Sequence, residues 1–198
     1  MADIQKLLQG FKDFHKKYFV DNPTVYQELS SKGQSPKTLV ISCSDSRVDP
    51  SILLGTSPGE IFVIRNVANL VPDFDCDMSH CHGTSAAIEY AVKHLKVENI
   101  IILGHSHCGG IRTLVEEHNH QHNFIDRWLE IADTPKVQNI CKNHSIDEAC
   151  RLCEKESILT SIENIKTFPF VAEALQNNRL KIHGWYFDLQ HGRLDIVF

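Results

Sequence analysis

Two short segments carry residues whose types and spacing suit metal chemistry. Cys43 begins the sequence CSDSR, and His105 and Cys108 lie in the later sequence GHSHCGG. Two cysteine sulfurs and one histidine nitrogen form a ligand set that zinc accepts. Three protein ligands leave the fourth tetrahedral position open for water, which is the arrangement of a catalytic zinc site.

The same two segments place other useful groups beside these ligands. Asp45 and Arg47 follow the first cysteine within CSDSR, and they offer a carboxylate and a guanidinium. The pair Gly109-Gly110 follows Cys108 and permits a tight turn into a helix. The positive end of that helix dipole would favour the thiolate form of Cys108.

Two other catalytic patterns fail on spacing. A phosphatase-type loop would need an arginine at position 49, which is Asp49. A serine-hydrolase elbow, G-x-S-x-G, would need a glycine at position 108, which is Cys108. A single cysteine is more often a small buried apolar residue than a metal ligand. The metal hypothesis therefore depends on the joint placement of the two segments.

Alternating strands and helices must position these segments. The hydrophobic pattern predicts helices and strands along most of the chain. The helices are predicted at 3–19, 84–95, 110–117, 124–141, 146–166 and 169–177, and the strands at 38–42, 60–67, 99–103 and two within 181–198. This order predicts an α/β fold with a mainly parallel central sheet flanked by helices. Both chemical segments follow strands, so they meet at one sheet edge if strands 38–42 and 99–103 are neighbours.

Composition narrows the class of protein. The 198 residues include 42% hydrophobic residues and carry a formal net charge of −5. We therefore expect a single domain over residues 1–198, with no nucleic-acid partner and no membrane partner. No segment resembles a signal peptide, which predicts a cytoplasmic protein. The 7 cysteines then stay reduced, including the pair in Cys150-x-x-Cys153.

At this point the sequence resembles a known family, the β-class carbonic anhydrases, and specifically their plant-like branch with a Gln-Ser-Pro turn. The paired motifs CSDSR and GHSHCGG carry the resemblance, which covers about residues 20–198. It continues through PGEIFVIRNVAN, AAIEYAVKHLKVENI and CEKESILTSIENIKTFPFV. The resemblance implies one Zn²⁺ per subunit, held by Cys43, His105 and Cys108. It also implies that Asp45 and Arg47 form a catalytic dyad.

The resemblance also implies a set of substrate-binding residues. Gln34, in the turn Gly33-Gln34-Ser35-Pro36, matches a hydrogen-bond donor to the substrate. The remaining members match a lining of the substrate pocket, and they are Phe62, Val67, Tyr90 and Gly109. The implied reaction is the reversible hydration of carbon dioxide to bicarbonate and a proton by zinc-bound hydroxide.

Simple electrostatics adds an expectation about pH. Two thiolates cancel the formal charge of Zn²⁺, so the bound water should be less acidic than the value of about 7 found with three histidines. The hydration rate should therefore rise through the alkaline range. Two alternatives remain open: a related zinc hydrolase of carbon disulfide or carbonyl sulfide, and a non-catalytic zinc or thiol sensor. The sensor has no use for Gln34, Asp45 and Arg47 together.

Outside these motifs, three further segments of the sequence lead to predictions. By the resemblance, residues 1–22 form a helical arm that embraces a partner subunit, which implies a homodimer or a higher homo-oligomer. A second metal ion is conceivable in the loop with Cys76, His80, Cys81 and His82, although an exposed loop is the simpler interpretation. The alternating histidines at 118, 120 and 122 are expected to be a solvated helix end or loop.

Overall fold

The protein is described by a computed structural model that covers residues 2–74, 82–116 and 123–198. Cys76, His80, Cys81 and the histidines at 118, 120 and 122 lie outside these ranges. The chain divides into two compact units, Met1–Ser35 and Pro36–Phe198. The expectation of one domain over residues 1–198 stays a prediction.

The first unit is helical. Helix α1 spans Ala2–His15, a π-helical segment continues it through Lys16–Asp21, and helix α2 spans Thr24–Lys32. The predicted helix over 3–19 is confirmed, whereas α2 was not predicted because its sequence lacks a strong apolar period. Gly33 ends α2 at a φ of 76°, a left-handed value that glycine adopts without strain.

The second unit is built on a five-stranded sheet. The strands are β1 (Thr38–Cys43), β2 (Ile61–Asn66), β3 (Asn99–His105), β4 (Lys181–Asp188) and β5 (Arg193–Ile196). Their order is β2-β1-β3-β4-β5; the first four strands are parallel and β5 is antiparallel to β4. The predicted α/β fold with a mainly parallel sheet is confirmed.

The strand order brings the two chemical segments to one place. β1 and β3 are neighbours, with Thr38 opposite Asn99 and Ser42 opposite Leu103. Along the chain, β2 comes after β1 and lies on one side of it, whereas β3 lies on the other side of β1. The direction in which strands are added to the sheet therefore reverses between β1 and β3. Such a switch point opens a crevice at the carboxyl ends of the strands. Cys43 and His105 are the last residues of these two strands.

Helices pack around this sheet and share the core with its strands. They are α3 (Pro50–Leu53), α4 (Gly83–Glu89, continued by a π-helical turn to Leu95), α5 (Gly109–Glu116), α6 (Phe124–Leu129), α7 (Pro135–Asn143), α8 (Ile146–Lys166) and α9 (Pro169–Gln176). Helix α8 packs on β3 and β4. Its Ile158, Ile162 and Ile165 are fully buried together with Ile100 and Ile102 of β3. None of the described helices combines the length and the apolarity needed to span a membrane.

The predicted helix over 124–141 is wrong in one respect, because the structure divides it. A 3₁₀ turn over Glu130–Ala132 follows α6, and α7 begins at Pro135. Proline has no N–H to donate, so it suits the first turn of a new helix. The hydroxyl of Thr134 accepts a hydrogen bond from the N–H of Val137 at 3.3 Å and caps α7.

Candidate metal centre

Cys43, His105 and Cys108 meet in the crevice between β1 and β3. Their potential ligand atoms all lie within 4.8 Å of one another, and all three residues are buried. The two sulfurs are 4.0 Å apart. In a tetrahedral site with metal–sulfur bonds of about 2.3 Å, the two sulfurs would be about 3.8 Å apart. The observed spacing therefore fits a zinc ion bound to both cysteines.

His105 is oriented as a metal ligand. Its Nδ1 lies 2.8 Å from the carbonyl oxygen of Ser106, which fixes the ring and favours the N–H on that nitrogen. Its Nε2 is buried and has no hydrogen-bond partner among the residues that the structure describes. A buried ring nitrogen without a partner is costly, and a metal ion would satisfy it.

The two thiols are strongly coupled. A hydrogen bond from Cys108 is the main cause that lowers the pKa of Cys43, and the backbone N–H groups of Asp45 and Ala68 act in the same direction. The same contact, together with burial, raises the pKa of Cys108. The first proton therefore leaves easily and the second does not. A cation bound to both sulfurs would offset the charge of the second thiolate.

Asp45 and Arg47 form a bidentate pair beside these ligands. Arg47 donates from Nε to Oδ1 of Asp45 at 2.9 Å and from Nη2 to Oδ2 at 2.7 Å. The backbone N–H of Arg47 donates to the same carboxylate at 2.9 Å. These hydrogen bonds hold the pKa of Asp45 well below its usual range, so the carboxylate stays ionised and can only accept.

Arg65 of β2 holds the loop that carries this pair. Its guanidinium donates to the carbonyl oxygens of Cys43 at 3.0 Å and of Asp45 at 2.7 Å. A third hydrogen bond, at 2.9 Å, reaches the carboxylate of Asp49, which also caps α3. The backbone around Cys43 is thus fixed from the neighbouring strand.

The turn that carries Cys108 is equally restrained. His107 has a φ of 55°, in the left-handed region, and its carbonyl oxygen accepts a hydrogen bond from Nη2 of Arg47 at 3.0 Å. At the start of α5, a Cβ on Gly110 would lie 2.6 Å from Cγ1 of Val67. Only glycine permits this close approach, and it brings Val67 next to the turn.

The structure places the predicted substrate residues in different regions. Gly109 begins α5 directly after the metal ligands, and Val67 lies near Gly110. The rings of Phe62 and Tyr90 contact each other at 5.9 Å between centroids. However, Phe62 pairs with Leu39, four positions before the end of β1, or about 13 Å along the strand. These two rings are therefore not brought to the metal ligands of the same chain.

Gln34 belongs to the first unit and is exposed, in the segment that follows α2. Its role in substrate binding stays a prediction. His82, the described member of the possible second metal cluster, precedes α4 and is half-buried.

A role for Arg65 or Glu154 was not predicted from the sequence, although a feature of the sequence points to each of them. Arg65 is a charged residue that directly follows four apolar residues of its strand, which is unusual unless it is paired. Glu154 shares a helix face with Cys150, Ser157 and Ser161, all of which are buried. A carboxylate on a buried helix face predicts a specific polar contact, which the structure locates at Cys108.

The fold and the site together define a class of protein. Its members are α/β proteins with two cysteines and a histidine at the switch point of a mainly parallel sheet, where the three side chains could bind a metal ion. A family model described as carbonic anhydrase matches residues 38–194. The chain belongs to the carbonic anhydrase family, in its β class, and is thus an enzyme.

Relatives of known name agree. The chain is 38% identical to beta carbonic anhydrase 3 of Arabidopsis thaliana, in an alignment that covers 98% of this chain and 76% of the relative. Among solved structures, the beta-carbonic anhydrase CcaA matches with a TM-score of 0.88 and 32% identity, over 98% of this chain and 87% of the other. A tetrameric beta-carbonic anhydrase of Sordaria macrospora matches with a TM-score of 0.85 and 30% identity, over 99% and 97%.

Proposed function

We propose that this protein catalyses the reversible hydration of carbon dioxide to bicarbonate and a proton, with one zinc ion per chain held by Cys43, His105 and Cys108. One observation carries the proposal. Two buried sulfurs lie at the sheet crevice with an imidazole nitrogen that has no hydrogen-bond partner within the described structure. Two residues after Cys43 stands the carboxylate of Asp45, which Arg47 keeps ionised. A purely structural zinc site would not need that carboxylate.

Zinc bound at this group would supply a nucleophile near neutral pH by lowering the pKa of water. The chain itself supplies orientation. Because Asp45 is ionised, it accepts hydrogen bonds and donates none, so it can hold an attacking water by its proton with a lone pair directed at the substrate. Arg47 prevents the carboxylate from turning away, since it occupies both carboxylate oxygens.

Carbon dioxide is small and apolar, so its pocket should be apolar as well. Val67 lines an open groove of about 610 Å³ together with Thr84, Ala87, Ile125 and Trp128. The groove begins at the carboxyl end of β2, and the indole N–H of Trp128 donates to the carbonyl oxygen of Val67 at 2.8 Å. This groove and Gly109 are the parts of the pocket that we assign to the same chain as the metal ligands.

A homo-oligomer explains the remaining pocket residues. Phe62 lies about 13 Å along the sheet from the end of β1, too far to serve the group of Cys43, His105 and Cys108 in its own chain, and Tyr90 contacts Phe62. We therefore assign them to the pocket of a neighbouring subunit, and we retain Gln34 as a hydrogen-bond donor to the substrate. The tetrameric state described for the Sordaria macrospora enzyme supports an assembly of this kind.

Stopped-flow measurement of carbon dioxide hydration, with the zinc content determined on the same samples, tests the proposal. We expect one zinc per chain and a hydration rate that rises between about pH 6 and 9. Cys43→Ser should lose both the zinc and the activity. Cys141→Ser is the matched control, because Cys141 is a free, half-buried cysteine outside the metal group, and it should keep both.

Two results would contradict the proposal. If the protein holds a full equivalent of zinc but has no hydration activity at any pH, the zinc site has a different function. Turnover of carbonyl sulfide or carbon disulfide in place of carbon dioxide would identify the related hydrolase.

A further inference from the structure

Glu154 is a buried carboxylate for which the proposed reaction has no direct use. It lies on α8 and is only 2% exposed. Its Oε1 accepts a hydrogen bond from the backbone N–H of Cys108 at 3.0 Å, and its Oε2 accepts one from the hydroxyl of Tyr186 at 2.8 Å. Both donors are neutral groups. A carboxylate buried with neutral donors costs more free energy than a neutral side chain would, so its contacts call for an explanation.

The contact with Cys108 becomes informative when Arg47 is considered as well. The peptide group between His107 and Cys108 has one carbonyl oxygen and one N–H. Its carbonyl oxygen accepts from Nη2 of Arg47 at 3.0 Å, and its N–H donates to Glu154 at 3.0 Å. In a trans peptide these two groups point in opposite directions. A cation and an anion thus hold the same peptide from its two sides.

The backbone at this peptide needs such restraint. His107 has a φ of 55°, a left-handed conformation that a residue with a side chain adopts at some cost in free energy. The conformation persists only where the surroundings impose it. Hydrogen bonds to ionised groups are stronger than those between neutral groups, so Arg47 and Glu154 are suited to impose it. The Cα and Cβ of Cys108 follow this peptide directly and carry the sulfur, so restraint of the peptide also restrains the sulfur.

Tyr186 completes the arrangement from the sheet. It lies on β4 and is 5% exposed, and its hydroxyl occupies the oxygen of Glu154 that does not face Cys108. With both carboxylate oxygens engaged, the rotamer of Glu154 is defined. The contact therefore links the central sheet, helix α8 and the metal-ligand turn.

We propose that Glu154 is a positioning residue, which together with Arg47 clamps the peptide between His107 and Cys108 and so places the Cys108 sulfur for metal binding. Tyr186 orients Glu154 for this task. The inference rests on the proposed zinc site.

The test uses full-length protein and measures zinc affinity directly. In Glu154→Gln the amide oxygen can still accept from the N–H of Cys108, but the charge is gone. We expect its zinc dissociation constant, measured by competition with a chromophoric chelator, to rise roughly 10- to 100-fold. Tyr186→Phe should shift the constant in the same direction by less, because it leaves the carboxylate in place.

Glu156→Gln is the matched control. Glu156 lies on the same helix with a side chain that is 14% exposed, and it pairs with Lys136 at 2.6 Å, outside the metal group. This variant should bind zinc as the wild type does. Circular dichroism confirms that each variant is folded at the temperature of the titration, and Tyr186→Phe carries the test if Glu154→Gln does not fold.

Cobalt(II) substitution gives a second readout, which a merely structural role would not change. Because the visible absorption of cobalt depends on ligand geometry, Glu154→Gln should shift the spectrum and Glu156→Gln should not. Wild-type affinity and spectra in both Glu154→Gln and Tyr186→Phe would overturn the inference and leave the zinc site intact. A wild-type protein that binds no zinc would instead overturn the proposed function.

Discussion

Removal of Arg47 should impair catalysis beyond any effect on metal binding. Its guanidinium holds Asp45 without belonging to the metal group. At saturating zinc, we expect Arg47→Ala to hold one equivalent of the metal, with a weaker affinity because one side of the Cys108 peptide clamp is lost. We also expect its kcat/KM for hydration, measured with zinc saturating, to fall by roughly 10- to 100-fold, a range typical of residues that orient the groups around a metal. Without the guanidinium, the carboxylate of Asp45 would lose two of the hydrogen bonds that orient it and would keep the one from the backbone N–H of residue 47.

Arg179→Ala is a suitable control for this variant. The two arginine side chains are similarly exposed, at 52% for Arg47 and 56% for Arg179, and each pairs with a carboxylate. The control should retain full hydration activity in the stopped-flow assay. Wild-type kcat/KM in zinc-saturated Arg47→Ala would show that the residue is not needed to orient Asp45.

A second prediction at the residue scale concerns pH and Cys153. Burial, with the neighbouring Cys141 as a further cause, raises the pKa of the Cys153 thiol to about 12 from an ordinary value of 9.0. In the unfolded chain this thiol ionises from about pH 9, while in the folded chain it stays protonated. Its contribution to stability is therefore fully present below pH 9 and is lost as the pH rises toward 12.

Urea unfolding at pH 8 and pH 10.5 checks this prediction. We expect the free energy of unfolding to fall between these pH values by about 1–2 kcal/mol more in the wild type than in Cys153→Ser. The serine hydroxyl does not titrate in this range, so the difference in slope isolates the thiol. Equal slopes in the two proteins would contradict the assignment.

At the scale of elements, the break between α6 and α7 depends on a capping residue. The hydroxyl of Thr134 accepts from the N–H of Val137 at 3.3 Å, and Pro135 follows in the first turn of α7. Because Thr134→Ala removes this cap, we expect a loss of about 1 kcal/mol in the free energy of unfolding. Thermal or urea unfolding measures the loss.

Ser145 provides the matched comparison. It occupies the same N-cap position of α8, but its side chain caps no N–H group of that helix in the described structure. Ser145→Ala should therefore cost clearly less than Thr134→Ala. Equal losses in the two variants would mean that the capping hydrogen bond is not what stabilises the start of α7.

At the scale of the whole molecule, α1 has an exposed apolar face that suits contact with another subunit. Ile4, Leu7 and Phe11 recur at helical spacing and are 61%, 69% and 63% exposed. Exposed apolar residues grouped on one face are typical of a protein–protein interface. In the proposed homo-oligomer, Phe11→Glu should shift the protein to smaller species and lower its hydration activity.

Light scattering coupled to size-exclusion chromatography, with hydration activity measured on the same fractions, tests this role of α1. Gln9→Glu adds the same charge on the opposite side of the helix and should leave both the mass and the activity unchanged. An unchanged mass for Phe11→Glu would exclude this face from the assembly.

Much of the molecule follows from local pattern. Short apolar runs predicted β1, β2 and β3, because a buried parallel strand needs both faces apolar. The turn residues at 190–192 predicted the pair β4 and β5. The spacing within CSDSR and GHSHCGG predicted the three residues that meet as a metal group, since both segments follow strands and parallel strands end at one edge. The break before Pro135 was readable in principle, but the apolar period on either side concealed it.

Other features depend on residues that are distant along the chain. The sequence by itself determined most of the elements, the class of fold and the three residues that meet as a candidate metal-binding group, because these follow from local periodicity and from ligand chemistry. Only the tertiary structure decided that Arg65 and Glu154 fix the backbone of the two ligand loops, and that Phe62 lies about 13 Å down the sheet from its own metal group. The physical reason is that a hydrogen bond depends on positions within about 3 Å, which only the packing of α8 and the register of the strands can set.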